Sequence, residues 1–347
     1  MMAVLSPLPQ RTRMQYHDVA VLVPCHNEAA TVQDVVTAFN RELPGAQIVV
    51  CDNNSTDGTA DVARAAGAIV ITERHRGKGF AVRRLFSDVQ AEYYVMVDGD
   101  ATYDASSAPE MVRLMREEGV DTVLGVRRSV STSGTAEYRP GHQLGNLMFS
   151  RTFSALFDTS YADVLTGYRG FSRRFVKSCP LLARGFDVEI ELNAHGASLG
   201  MPLAEVDTVY RERASGSESK LNTYRDGFRI FRRLFRLYRD FKPALVFGGL
   251  GLLMTVLGIA AAIPVLIQYQ QSGLVPRLPT LFVVIGLFLL ACFLLITGSI
   301  LERASRDRLE RNRLSYLALP APKAVRCPEP AQLREPTRLA AVPGRSR

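Results

Sequence analysis

The chain has 347 residues, 47% of them hydrophobic, which is enough for one large or two medium globular domains. Its five cysteines, Cys25, Cys51, Cys179, Cys292 and Cys327, are odd in number and widely spaced with no CxxC pair, which argues against a disulfide framework or a zinc site. The formal charge of +8 does not single out nucleic acid as a partner, because much of it lies beside two apolar segments, where anionic lipid headgroups are nearer.

Met1 to His17 contain no apolar h-region, so no signal peptide is expected there. The following residues alternate in the βα manner. Strands are expected over Val19–Val23, Gln47–Cys51, Ile69–Thr72, Tyr93–Val97 and Thr122–Val126, with helices over Ala29–Leu43, Thr59–Ala66 and Phe80–Val89. This order predicts an α/β fold: a Rossmann-like, mainly parallel sheet with helices on both faces.

The connections carry the polar residues. PCHNEA follows the first strand, where Pro24 ends the strand and His26, Asn27 and Glu28 enter the loop; CDNNSTDGT follows the second, with Ser55, Asp57 or Thr59 placed to cap a helix. RHRGKG at 74–79 offers glycines for close backbone approach and Lys78 for a phosphate or a sheet-edge charge. It is not a P-loop, since GxxxxGK[ST] is absent, and no GxGxxG marks a dinucleotide fold. YYVMVDGDATYD, Tyr93 to Asp104, ends an apolar strand in Asp98 and Asp100, at the edge where open α/β sheets bind ligands. Such carboxylates suit Mg²⁺ or Mn²⁺, which keep positions open for phosphate oxygens, although a bare DxD can also be a solvated turn.

Further along, GVRRS places Arg127 and Arg128 just after the fifth strand, and VYRERASGSESK places Arg211, Arg213 and Lys220 in a Gly/Ser-rich loop suited to closing over phosphates. Leu221 to Phe241 repeats apolar residues at helical spacing with arginines between them, the pattern of a helix in the membrane interface. Ala244–Ile267 and Thr280–Leu301 contain no charge and are each long enough to span a bilayer. Arginines flank the pair, while Gln268 to Pro279 between them holds only Arg277, so both flanks are expected in the cytoplasm.

VPCHNE, VCDNNSTDGT, RGKG and VDGD, in this order and spacing, resemble the family 2 glycosyltransferases of the GT-A fold. The two C-terminal spans narrow the resemblance to the polyprenyl-phosphate (dolichyl-phosphate-type) sugar transferases, over about residues 18–302. The resemblance implies a nucleotide-sugar site at Pro24, His26, Glu28, Cys51, Asp52, Asn53, Lys78, Asp98 and Gly99, and a metal held by Asp98 and Asp100. It implies phosphate contacts at Arg127, Arg184, Arg213 and Lys220, and catalytic roles for Asp100 and for Asp163, the latter as a positioning or base residue; Glu189 and Glu191 are further candidates. The family often has Tyr at the His26 position and Asp at Asn53, so the nucleotide, as UDP-sugar or GDP-mannose, stays open, and often Gln at Thr102, so a third metal ligand stays open.

The expected organisation is a flexible N terminus over 1–17, a cytoplasmic catalytic domain over 18–220, an interfacial helix over 221–243, a two-span hairpin over 244–302 and a basic, Pro-rich tail over 303–347. The expected reaction is inverting sugar transfer to a polyprenyl phosphate, with membrane lipids as surroundings and a homo-oligomer left open. A processive polysaccharide synthase is disfavoured because its QxxRW motif needs tryptophan and the chain has none. Other glycolipid or polysaccharide acceptors, and a non-catalytic scaffold, remain as alternatives.

Overall fold

The computed structural model describes residues 15–129, 153, 154, 156, 157, 161–185, 187–211, 235, 238–275 and 277–322. Arg213, Lys220, most of the 221–241 segment and the tail beyond 322 lie outside the described residues.

The order is β1 (Val19–Cys25), α1 (Val32–Glu42), β2 (Gln47–Asp52), α2 (Thr59–Ala65), β3 (Ile69–Thr72), α3 (Lys78–Asp88), β4 (Tyr93–Met96), α4 (Ala108–Arg113), β5 (Thr122–Ser129), β6 (Arg169–Ser172), α5 (Arg173–Ser178), α6 (Val188–Leu199), β7 (Leu203–Tyr210), α7 (Pro243–Ser272) and α8 (Leu278–Leu317). Among the described residues the sheet runs β3-β2-β1-β4-β6-β5-β7. Pairings of β1 with β2 and β4, of β2 with β3 and of β5 with β7 are parallel, as the βα alternation requires. The exception is β6, which runs antiparallel to both β4 and β5. Its first residue, Arg169, sits opposite Met96 at the end of β4, so the chain re-enters the sheet from the edge where β5 left it and can only run backwards.

Every residue of β1 is buried, because helices cover both faces. Val19, Val21 and Val23 pack with Val32, Val36 and Phe39 of α1 and Met111 of α4. Ala20 and Leu22 pack with Val82, Leu85 and Phe86 of α3 and with Phe175 and Leu192. Several expected boundaries shift by one or two residues, and two move by three. Helix α1 starts at Val32 because residues 28–31 form a turn, Thr31 N–H donating to the Glu28 carbonyl at 3.1 Å. Strand β5 continues to Ser129, so Arg127 and Arg128 belong to the strand and do not follow it.

Helices α7 and α8 have 30 and 40 residues, and both are long and apolar enough to cross a membrane. On α7, Gly251, Gly258 and Val265 are buried, and on α8, Val284, Ala291 and Gly298, a seven-residue repeat on both. Small residues let the backbones approach: a Cβ on Gly251 would lie 3.3 Å from the Ala291 carbonyl oxygen. Only 17% of each apolar stretch is buried, which sets these helices apart from soluble core helices. The charge-free run ends at Leu301, but α8 continues to Leu317, so the segment expected as tail begins as helix.

His195 of α6 is buried against the Phe175 ring, with its Nε2 3.0 Å from Ser178 Oγ, and burial pushes its imidazole down to about 4. The unfolded chain binds that proton near the ordinary value of about 6.5, so protonation favours unfolding between the two values. The stability His195 lends is complete above about pH 6.5 and is lost as pH falls towards 4. Acid titration of the melting curve should therefore be shallower over this window in His195→Gln, by on the order of 2 kcal/mol at pH 4. An unchanged pH profile would remove His195 from the acid sensitivity.

Candidate active site

The carboxyl ends of β1, β2 and β4 converge on one crevice, and cross-loop hydrogen bonds set its shape. Asn27 adopts a left-handed φ of 58° and its Oδ1 accepts from Thr56 N–H at 2.9 Å, while Ser55 Oγ accepts from Asn27 N–H at 3.0 Å. Thr59 Oγ1 accepts from Glu28 N–H and Asp57 Oδ2 from Ala29 N–H, both at 2.9 Å. Asp57 also accepts from Thr59 N–H at 3.0 Å, whereas the cap position of α2 is Gly58 at φ 86°. The polar residues of the second loop thus brace the first. Thr31 Oγ1 ties both to the DxD turn, donating to the Gly99 carbonyl at 2.7 Å.

Pro24 and Cys51 are buried neighbours across β1 and β2, and burial pushes the Cys51 thiol up to about 12, so it contributes shape and not a thiolate. Asn53 is used internally. Its Nδ2 donates to the His75 carbonyl at 2.7 Å and its Oδ1 accepts from Gly77 N–H at 2.7 Å, which folds the 73–77 loop over the crevice. His26 joins the same brace: its Nδ1 donates to the Asn53 carbonyl at 2.9 Å and its Nε2 accepts from Arg76 at 2.8 Å. Asp52 is buried beside them, with Oδ1 lacking a hydrogen-bond partner among the described residues.

Asp98 Oδ1 lies 2.5 Å from Lys78 Nζ, which also meets Glu189 Oε1 at 2.6 Å. Burial opposes the lysine's charge, yet the two carboxylates hold it well above its ordinary range. The RGKG loop reaches this position because its glycines pass under the 183–184 backbone: a Cβ on Gly79 would lie 2.2 Å from the Ala183 carbonyl oxygen. Arg184 itself is exposed beside this contact. Asp100 Oδ1 accepts from Thr102 Oγ1 at 2.7 Å and from Thr102 N–H at 3.2 Å, so Thr102 orients the second carboxylate. A cavity of about 300 Å³ lined by Asp34, Asp98, Tyr103 and Arg211 adjoins the pair.

Arg127 and Asp163 meet each other. Nε and Nη2 reach the two carboxylate oxygens at 2.6 and 2.9 Å, a bidentate pair that holds Asp163 as an acceptor for the guanidinium. The Arg127 guanidinium also lies 5.5 Å from the centre of the Tyr210 ring. Glu191 accepts from the N–H groups of Leu182 and Ala183 at 2.8 and 2.6 Å, which fixes the loop before α6, whereas Glu189 reaches Lys78.

Three contributors carried no sequence signal strong enough to single them out. Gly167 backs Asp98 so closely that a Cβ would lie 2.3 Å from Oδ2. Tyr103 accepts from Gly167 N–H at 2.9 Å and keeps that strand-entry turn in place. Arg169, fully buried beneath, donates to the carbonyls of Thr166 at 2.8 Å and Val164 at 2.9 Å and to Asn193 Oδ1 at 2.5 Å. The motif TGYR contains two of them.

A mixed α/β sheet whose parallel strand ends gather paired carboxylates, glycine-backed loops and a buried lysine defines a GT-A-type transferase domain. The glycosyl transferase family 2 profile matches residues 20–179. Glycosyltransferase AglJ of Haloferax volcanii is 36% identical over 257 residues, 72% of this chain and 82% of the relative. The chain belongs to glycosyltransferase family 2. The dolichyl-phosphate hexose transferase of the same organism is 30% identical over 226 residues, covering 65% of this chain and 96% of the relative. Among solved structures, glucosyl-3-phosphoglycerate synthase from Mycobacterium tuberculosis with Mn²⁺, UDP and phosphoglyceric acid is similar at 23% identity and a TM-score of 0.49, over 62% of this chain and 75% of that one.

Proposed function

We propose that the enzyme transfers a hexose from a nucleotide diphosphate-sugar to a polyprenyl phosphate at the cytoplasmic membrane face, with inversion at the anomeric carbon. The observation that carries the lipid acceptor is the pair of long apolar helices joined to the catalytic domain, α8 continuing unbroken from its apolar run to contacts with that domain. The relative named dolichyl-phosphate hexose transferase supports the same acceptor class. The arginines on both flanks of the hairpin support a cytoplasmic catalytic domain and termini, and a reporter inserted near Ser272 should lie on the opposite side.

The residues fit a hard divalent ion. Asp98 and Asp100 supply carboxylate oxygens, and the Lys78 ammonium on Asp98 already marks a position that favours positive charge. When bound, Mg²⁺ or Mn²⁺ would neutralise the departing nucleotide diphosphate.

The rest falls to the chain itself. The buried Asp52 Oδ1 is an acceptor suited to a nucleobase N–H, and the braced loops at His26, Glu28 and Asn53 shape the nucleoside pocket. Lys78, on its glycine loop, would add charge at the diphosphate. Arg127, locked by Asp163, with Arg184, Arg213 and Lys220, would orient the acceptor phosphate. A phosphate monoester is already anionic near neutral pH, so it needs alignment more than deprotonation. Asp163 acts in this reading through Arg127, and Thr102 through Asp100.

With labelled donors presented as a panel, polyprenyl phosphate should accept sugar and the matching polyprenol should not, because the phosphate supplies both charge and nucleophile. Equal use of the free alcohol would exclude this mechanism and point to another glycolipid or polysaccharide acceptor.

A further inference from the structure

Helix α8 outruns its apolar portion by several turns. Tyr316 stands about 22 Å beyond Leu301 along the axis, at about 1.5 Å per residue. Ser305, Arg308, Leu309, Asn312 and Tyr316 recur at three- and four-residue steps and so share one face, on which Ser305, Asn312 and Tyr316 are half-buried, while Arg303, Arg306, Arg308, Glu310, Arg311 and Arg313 are exposed.

That face is tied to the rest of the chain at two levels. Near the apolar run, Ser305 Oγ and Arg308 Nη2 donate to the Asp240 carbonyl at 3.0 and 2.8 Å, just before α7 begins. At the far level, the Tyr316 hydroxyl donates to Asp121 Oδ2 at 2.8 Å. Asp121 is fully buried, and it also accepts from Ser172 Oγ and from Nε and Nη2 of Arg174, each at 2.6 Å. The Arg174 guanidinium lies 4.5 Å from the centre of the Tyr316 ring, so the ring is gripped by its face as well as its hydroxyl. Burial and the Asp121 carboxylate push the phenol above its ordinary range, which keeps it a donor. Beyond the helix, Tyr93 donates to the Pro322 carbonyl at 3.2 Å.

The place of this junction matters. Asp121 precedes β5 and Ser172 ends β6 opposite Tyr93, so the junction lies at the sheet edge opposite the Asp98 crevice. The depth of the sheet, about 23 Å for the seven residues of β1 at about 3.3 Å each, matches the length of the arm.

We propose that the extended part of α8 is a strut, latched by Tyr316 to Asp121 and Arg174, that sets the height and tilt of the crevice so that a bilayer-embedded acceptor phosphate reaches it. Tyr316 is then a positioning residue for transfer, acting through the orientation of the whole domain. The inference rests on the lipid-phosphate reading above.

The full chain in proteoliposomes tests it, with donor and acceptor each varied in turn, using a long-chain polyprenyl phosphate in the bilayer and a short water-soluble analogue. Tyr316→Ala should raise the KM for the bilayer acceptor about tenfold while donor KM and turnover of the short acceptor stay within about twofold. Tyr316→Phe keeps the ring and should shift the same constant only about threefold. Parallel losses on both acceptors would mean damage to the domain and overturn the strut, as would no change on either. A wild-type enzyme that uses neither lipid phosphate would instead overturn the reading on which the strut rests.

Discussion

Asp100→Asn should lower sugar transfer by roughly a thousandfold or more, from the several kcal/mol of leaving-group stabilisation lost with a charged ligand at about 1.4 kcal/mol per decade. The fold should survive, because the Asp100 contacts to Thr102 are hydrogen bonds that an amide oxygen can also accept. Asp98→Asn should be as inactive and in addition less stable, since Lys78 is buried and would keep only Glu189 as a charged partner. Single-turnover assays across a Mg²⁺ and Mn²⁺ titration, with a melting curve for each variant, separate the two effects. Wild-type turnover by either variant, with the metal still required, would overturn the placement of the ion.

Arg169→Met should produce the largest loss of stability, about 3–5 kcal/mol from about 1–3 kcal/mol for each buried acceptor left unpaired, or about 10 °C in apparent melting temperature for a domain of this size. The side chain is wholly buried and donates to two carbonyls and the Asn193 amide oxygen, so methionine fills the volume but leaves the Thr166 carbonyl and the Asn193 amide oxygen without this donor, while the Val164 carbonyl keeps only its bond from Asn193 Nδ2. Because the same turn carries Gly167 against Asp98 and Asp163 against Arg127, activity should fall at temperatures well below the transition. A melting temperature within about 2 °C of wild type would show that the Val164–Thr166 turn holds itself.

The pattern of apolar runs and turn residues made most of the catalytic domain legible. The strands expected over Val19–Val23 and Gln47–Cys51 appear as Val19–Cys25 and Gln47–Asp52, because burial on both faces leaves an apolar signature, and the more exposed edge strand Ile69–Thr72 appears at its expected bounds. β6 escaped notice: RGFS has four residues, one of them a fully buried arginine, and nothing local in it reads as a central strand. The arginine is tolerated only because Val164, Thr166 and Asn193 meet it, and those contacts are distant or folded back in space.

The candidate site divides in the same way. The sequence by itself determined which groups were present: carboxylates at a strand end, a glycine loop with a lysine, arginines at the fifth strand and in a Gly/Ser-rich segment, and two charge-free segments of membrane length. Residue type and spacing along one element carry that information. Only the tertiary structure decided which of these groups meet. It set Lys78 between Asp98 and Glu189, paired Arg127 with Asp163, turned Asn53 inward as a brace, and carried Tyr316 from the end of α8 to Asp121. Each of those contacts joins residues remote in the chain, and a side chain's partner there is fixed by how the elements pack, which no local pattern encodes.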